Sequence, residues 1–235
     1  MPYQPYDYSS IDYRAWPPLQ RFFRRIFVFL FRLLIQLEVE GLENIPRTGA
    51  LLLAANHLDL LDAPLGLIFV PRRMVGFVKT KWRRPPINWL LEAISDVIYV
   101  DVGKPDRSAL QETLKVLQAG GVVAVLPEGT RSRSGGLGQG HSGLALLATR
   151  APAPILPVGF YGQEQAMKYW KRLKRVPIHA RIGTLIELPA GKATKKQLQA
   201  YTDQVMIAIA RLLPPEYRGV YAQLAWSSDQ DEVLS

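Results

Sequence analysis

The run Ala50-Leu51-Leu52-Leu53-Ala54-Ala55 constrains this chain more than any other stretch. It is short, wholly apolar and bounded by Thr48-Gly49 on one side and Asn56 on the other. A run of that kind fits a strand buried on both faces, and such a strand needs helices on both sides of its sheet. Val122 to Leu126 is a second such run. Met74–Val78, Val97–Val100 and Ile155–Phe160 read as further strands, and Ile178–Ile186 as one or two more. Helical segments fall between them at Ala63–Phe69, Ile87–Ile94, Pro105–Ala119 and Gly143–Arg150. Ser108 with Gln111 has the form of a capping box for the third of these, which Gly120-Gly121 closes. Thr194 with Gln197 has the same form for a last helix. Its apolar face is Leu198, Tyr201, Val205, Ala208, Ile209 and Leu212, and Pro214-Pro215 ends it. The alternation predicts an α/β fold: a single domain with a mixed, largely parallel sheet flanked by helices, preceded by an amphipathic membrane-interface helix.

Four stretches follow from this organisation: an aromatic and proline-rich tail over 1–16, the amphipathic helix and its exit over 17–42, the main domain over 43–220, and a polar, acidic tail over 221–235. A chain of 235 residues has room for one sizeable core. It contains no cysteine, which removes disulfides, thiolate metal sites and cysteine nucleophiles. The net charge of +9 points to an anionic partner. The first 18 residues lack the charged-then-apolar pattern of a secretory leader, and no apolar run reaches the ~20 residues of a spanning helix.

Residues 19–37 read LQRFFRRIFVFLFRLLIQL. Phe22, Phe23, Ile26, Phe27, Leu30, Leu33 and Leu34 form one broad helical stripe, and Arg21, Arg24, Arg25 and Arg32 supply cations. The segment is too charged to span a bilayer and too apolar for an ordinary surface helix. A helix lying in the membrane interface accounts for both properties. Each basic residue at an anionic leaflet adds on the order of 1 kcal/mol. Packing of the stripe on the protein's own core is the competing explanation. The expected placement is peripheral or monotopic, on the cytoplasmic face.

The chemistry gathers where predicted strands end. His57 and Asp62 follow the first apolar run. Residues five apart lie about 140° apart on a helix and on opposite sides of a strand, so the two meet only if the chain turns between them. A carboxylate on one imidazole nitrogen fixes the tautomer and stabilises the imidazolium, which makes a general base of the other nitrogen. Lys79 follows the Met74–Val78 strand, in a basic turn with Lys81, Arg83 and Arg84. Pro127-Glu128-Gly129-Thr130-Arg131-Ser132 follows the Val122–Leu126 strand and continues into Arg133 and Ser134. Arginine forks match phosphate, glycine permits close backbone approach, and hydroxyls donate hydrogen bonds. The G-x4-G-K-[ST] pattern of a Walker loop is absent. In open α/β sheets, ligands collect at the carboxyl ends of strands, which is where these three groups fall.

Together these residues resemble the glycerolipid acyltransferase family, of the 1-acyl-glycerol-3-phosphate acyltransferase type. The N-H-x4-D motif is matched by Asn56, His57 and Asp62, and the F-P-E-G-T-R-S motif by Pro127, Glu128, Gly129, Thr130, Arg131 and Ser132. Phe77, Val78, Lys79 and Pro86 match a second motif loosely, and Leu156-Pro157-Val158 a fourth. The resemblance covers roughly residues 20–220. It implies acyl transfer from acyl-CoA or acyl carrier protein to a hydroxyl of a lysophospholipid acceptor, with the thioester as co-substrate and no resident cofactor or metal. His57 and Asp62 would be catalytic. Lys79, Glu128, Gly129, Thr130 and Arg131 would bind substrate. Departures from the family pattern are Asp59, Lys81, Val102, and Gly140-His141-Ser142 before Gly143. They open the way to another lipid or glycolipid acceptor.

His141 and His179 have no partner readable in the sequence and are expected to be structural or surface residues. A non-catalytic membrane-binding module would need the basic helix but not the polar groups at strand ends. A nucleic-acid partner is not expected, because the arginines interleave with aromatics only in the apolar amino-terminal segment.

Overall fold

A computed structural model of the chain describes residues 8, 11–13, 15–101, 106–132 and 134–226. The strands are β1 (Ile35–Glu40), β2 (Leu51–Ala55), β3 (Met74–Lys79), β4 (Asp96–Val100), β5 (Val122–Val125), β6 (Ile155–Tyr161) and β7 (Val176–Ile182). The helices are α1 (Pro18–Leu34), α2 (Asp62–Phe69), α3 (Ile87–Ile94), α4 (Arg107–Gln118), α5 (Gly143–Arg150), α6 (Ala166–Trp170) and α7 (Lys195–Leu212). The sheet runs β1-β7-β6-β2-β5-β3-β4. Neighbours pair in parallel except β6 with β7, so five strands run one way and β1 and β7 the other. This is the mixed, largely parallel α/β sheet that the apolar runs predict.

Strand β2 shows why. Leu52 and Ala54 face one core together with residues of α4, α5 and α7. Leu51, Leu53 and Ala55 face the other together with residues of α1, α2, α3 and α6. All five residues are buried. A central strand with helices on both faces has no polar side, which is why its sequence does not alternate.

Four expectations change. Residues 35–40 are not part of the amphipathic helix and its exit. They form the edge strand β1, paired along its length with β7. Its alternation of buried and exposed positions is that of a strand covered on one face. Helix α4 is capped by Asp106, whose carboxylate accepts from Ala109 N at 3.0 Å, and not by Ser108. Helix α7 begins with the expected Thr194–Gln197 capping box, but its buried face is Thr202, Val205, Met206, Ile209 and Ala210. The amino-terminal aromatics are packed: Tyr8 and Tyr13 belong to one core and Trp16 to the other, and Tyr8 Oη donates to Val97 O at 2.7 Å. At the far end, Tyr221 and Ala225 are likewise buried. Tyr3, Tyr6, Val102, Arg133 and residues 227–235 lie outside the described residues.

Helix α1 has three sectors. Phe23, Phe27, Val28 and Phe31 turn toward the core. Leu19, Phe22, Ile26, Phe29, Leu30 and Leu33 are exposed, Phe29 at 64%. Arg21, Arg25 and Arg32 lie between these two faces, from the 100° step of the helix. The single broad stripe of the sequence thus divides into one packed apolar face and one open apolar face. The open face continues onto α3, where Trp89 and Leu90 are exposed and Phe23 meets Trp89 edge-on at 5.8 Å between centroids. Among the described residues no helix is long and apolar enough to cross a membrane.

Candidate active site

The five co-directional strands place their carboxyl ends along one edge of the sheet. In the order β6-β2-β5-β3, the segment after β2 lies between those after β6 and β5. His57 follows β2, Gln163 follows β6, Glu128 follows β5 and Lys79 ends β3. Residues more than a hundred positions apart in sequence therefore meet at one place.

The chain leaves β2 through Asn56, which is fully buried. Its side-chain amide exchanges two hydrogen bonds with Phe160 of β6, donating to O at 2.8 Å and accepting from N at 2.7 Å. That pairing prolongs the ladder by one side chain while the main chain turns toward Asp62, the first residue of α2. His57 Nδ1 lies 2.8 Å from Asp62 Oδ2. The same oxygen accepts from the backbone N–H groups of Leu58 at 2.6 Å and Asp59 at 2.9 Å, and Oδ1 accepts from Gln163 Nε2 at 2.7 Å. The bend that His57 and Asp62 require is thus closed by the aspartate itself. An ionised carboxylate only accepts, so His57 Nδ1 carries the proton and Nε2 is left as the basic nitrogen. The Asp62 side chain is sealed from solvent and that of His57 is 18% exposed.

Glu128 is pinned in the same manner. Its Oε1 accepts from His57 N and its Oε2 from Gly138 N, each at 2.8 Å. Burial raises the Glu128 carboxyl above its ordinary value, against the pull of those two donors and of His57. Both oxygens are committed to backbone, so Glu128 shapes the site by joining the β2 and β5 exits. Ser132 N donates to His57 O at 2.8 Å and ties the loop a second time. Gly129 sits at φ +66°, where glycine is at ease.

Arg131 differs from both acids. It is exposed and, among the described residues, has no hydrogen-bond or ion-pair partner. With Thr130, Ser132 and His141 it lines an open pocket that has Glu128 at its side. Lys79 is exposed and separated from β2 by β5. No hydrogen bond or ion pair joins it to the other site residues among the described ones. Among them, too, no cluster of three or more acidic or histidine side chains could hold a metal ion.

Two residues at the site are not distinguishable in the sequence. Gln163 follows Gly162, whose φ of +97° brings the chain sharply off β6. A polar residue just after a strand-ending glycine was the available sign. His141 reaches the pocket because His141 N donates to Pro127 O at 2.9 Å, and no local pattern announces that bond. His179, by contrast, lies beside Glu38 at 3.2 Å, where β7 pairs with the edge strand β1.

The strand exits thus hold a part-buried histidine–aspartate pair on the same side of the sheet as an arginine that has no partner among the described residues. Residues 36–161, more than half of the chain, match the family described as Acyltransferase, and the chain belongs to that family. A probable 1-acyl-sn-glycerol-3-phosphate acyltransferase of Mycoplasma pneumoniae is 29% identical over 77% of this chain and 71% of its own length. The 1-acyl-sn-glycerol-3-phosphate acyltransferase of Borreliella burgdorferi is 30% identical over 54% and 52%. The crystal structure of the 1-acyl-sn-glycerophosphate acyltransferase PlsC from Thermotoga maritima superposes with a TM-score of 0.60 at 28% identity, over 80% of this chain and 74% of that one. The matched part thus spans between about half and about three quarters of these proteins. The chain is an acyltransferase.

Proposed function

We propose that the protein transfers an acyl group from acyl-CoA or acyl carrier protein to the sn-2 hydroxyl of 1-acyl-glycerol-3-phosphate. The observation that carries this reading is the His57–Asp62 pair, immobilised with Nε2 as its free nitrogen, tied through Ser132 to the loop of Arg131, which has no partner among the described residues. His57 Nε2 takes the hydroxyl proton as the oxygen attacks the thioester carbonyl. The carbon–sulfur bond then breaks, and the thiolate leaves with the proton from His57. The products are an ester and a free thiol, and no acyl-enzyme forms. Asp62 holds the tautomer and stabilises the transient imidazolium. Arg131 and Thr130 hold the acceptor phosphate, with Gly129 allowing it close. Lys79, one strand further along, assists acceptor or oxyanion binding through its charge. The names of the relatives support the acceptor, and the absence of cysteine agrees with direct transfer.

The open face of α1 and the exposed part of α3 support docking on the cytoplasmic leaflet, where acceptor and product reside. Arg21, Arg25 and Arg32 would sit at the headgroups. Deleting α1 would not test this, because Phe31 is part of the core and Phe23, Phe27 and Val28 pack against it. The triple variant Phe22→Ser, Phe29→Ser, Leu33→Ser leaves the packed face intact and is expected to lose flotation with anionic vesicles. Retained flotation would overturn the docking face.

The activity test uses the missing cysteine. The vesicle-bound protein is given acyl-CoA and 1-acyl-glycerol-3-phosphate, and thiol is followed with a dye to which the protein contributes nothing. Acceptor-dependent thiol release is expected. A folded protein that releases none with acyl-CoA or acyl carrier protein would overturn the reading.

A further inference from the structure

Arg131 is the one permanent cation lining the acceptor pocket among the described residues. A phosphate monoester carries nearly two negative charges near neutral pH. Glu128 offers it nothing, since both its oxygens face backbone N–H groups. The remaining lining side chain able to carry positive charge is His141.

The loop that bears His141 is held from behind. Gly140 N donates to Tyr221 Oη at 3.1 Å, and Gly140 O accepts from Gln199 Nε2 at 3.2 Å. Tyr221 Oη in turn donates to Asp203 at 3.0 Å. Gly140 is seated so closely on α7 that a Cβ would come within 2.6 Å of Met206 Cγ. Both backbone groups of one residue, plus His141 N on Pro127 O, are thus committed to fixing where an exposed histidine stands. Its ring lies over Gly129. A Cβ built there would be 3.3 Å from His141 Cδ2 and 3.9 Å from Nε2. The missing side chain at 129 therefore gives the imidazole its place as well as opening the loop.

We propose that His141 is a specificity-determining residue which, with Arg131, recognises a phosphate monoester on the acceptor lipid. This rests on the acyl-acceptor reading above. Imidazole donates an N–H when neutral and two when charged, so it serves as donor in either state. Arg131 supplies the fork for one pair of phosphate oxygens, and His141 reaches the same group from the opposite loop. A phosphodiester headgroup, with one charge fewer and a bulky substituent, uses less of the pair.

The test compares steady-state kinetics of the wild type, His141→Ala and His141→Lys on 1-acyl-glycerol-3-phosphate and on lysophosphatidylglycerol, with melting temperature as a control. His141→Ala is expected to raise KM for the monoester about tenfold, as for loss of one charge-assisted hydrogen bond. kcat should stay within about twofold, and the preference over the diester should fall by a similar factor. His141→Lys is expected to restore the monoester KM. An unchanged KM in His141→Ala, or equal loss on both lipids, would overturn the proposal while leaving the activity standing. Failure of His141→Lys to restore KM would assign the residue to shape and overturn it likewise. A wild type that turns over neither lipid would overturn the acceptor reading itself, and this proposal with it.

Discussion

The two halves of the site are built on opposite plans. In the half around His57, every carboxylate oxygen is occupied: Asp62 has four donors and Glu128 two, mostly from backbone. In the half that lines the open pocket, Arg131 and His141 stand exposed with their side-chain donors uncommitted among the described residues. Groups whose geometry must not change during the reaction are fixed by backbone donors, which cannot rotate away. Groups that must exchange water for a ligand keep their donors open. Preorganisation of the first kind acts on the transition state, whereas the second kind acts on binding.

Kinetics can break or sharpen that distinction. The largest effect is expected from His57→Ala, with kcat down by about 10²–10⁴ and KM little changed. A loss confined to KM would move His57 into the binding half. Next comes Gln163→Met, which keeps length and removes the donor to Asp62. It should lower kcat by about tenfold through a looser dyad, without altering acceptor KM. A KM effect instead would mean that Gln163 reports on the pocket. Arg131→Ala should raise acceptor KM by about tenfold or more, with melting temperature unchanged because nothing in the fold leans on its guanidinium. A drop in melting temperature would show that Arg131 is a structural partner.

The smallest effect concerns the support behind His141. Burial first, and then the Asp203 carboxylate, push the Tyr221 phenol up to about 12. A group raised in the folded state contributes stability that is whole below its unfolded value, near 10, and is lost as pH rises through about 12. Denaturation midpoints of the wild type and Tyr221→Phe should therefore change relative to each other between those two values, with the wild type losing more. Parallel curves would indicate that the Tyr221–Asp203–Gly140 network is open in solution.

How much of this was readable in the chain depends on the range of the interaction. Continuous apolar runs such as Leu51–Ala55 and Val122–Val125 announced doubly covered strands, since a strand without a polar side has only one kind of environment. His57, Asp62 and the Glu128–Arg131 loop were readable as a candidate site because their spacing is local. β1 was not, because Ile35–Glu40 follows a helix without a breaker and becomes a strand only by pairing with β7, about 140 residues later. The two apolar faces of α1 were merged in the sequence, because periodicity records that a position is apolar and not what covers it.

The sequence by itself therefore determined the α/β class, the gathering of polar groups at the strand exits, and the pairing of His57 with Asp62. Each is a matter of residue type at short spacing. Only the tertiary structure decided that Gln163 completes the acid, that Lys79 stands apart, and that His141 stands over Gly129. Strand order brings together segments that are distant in the chain, and backbone hydrogen bonds between those segments leave no local pattern to read.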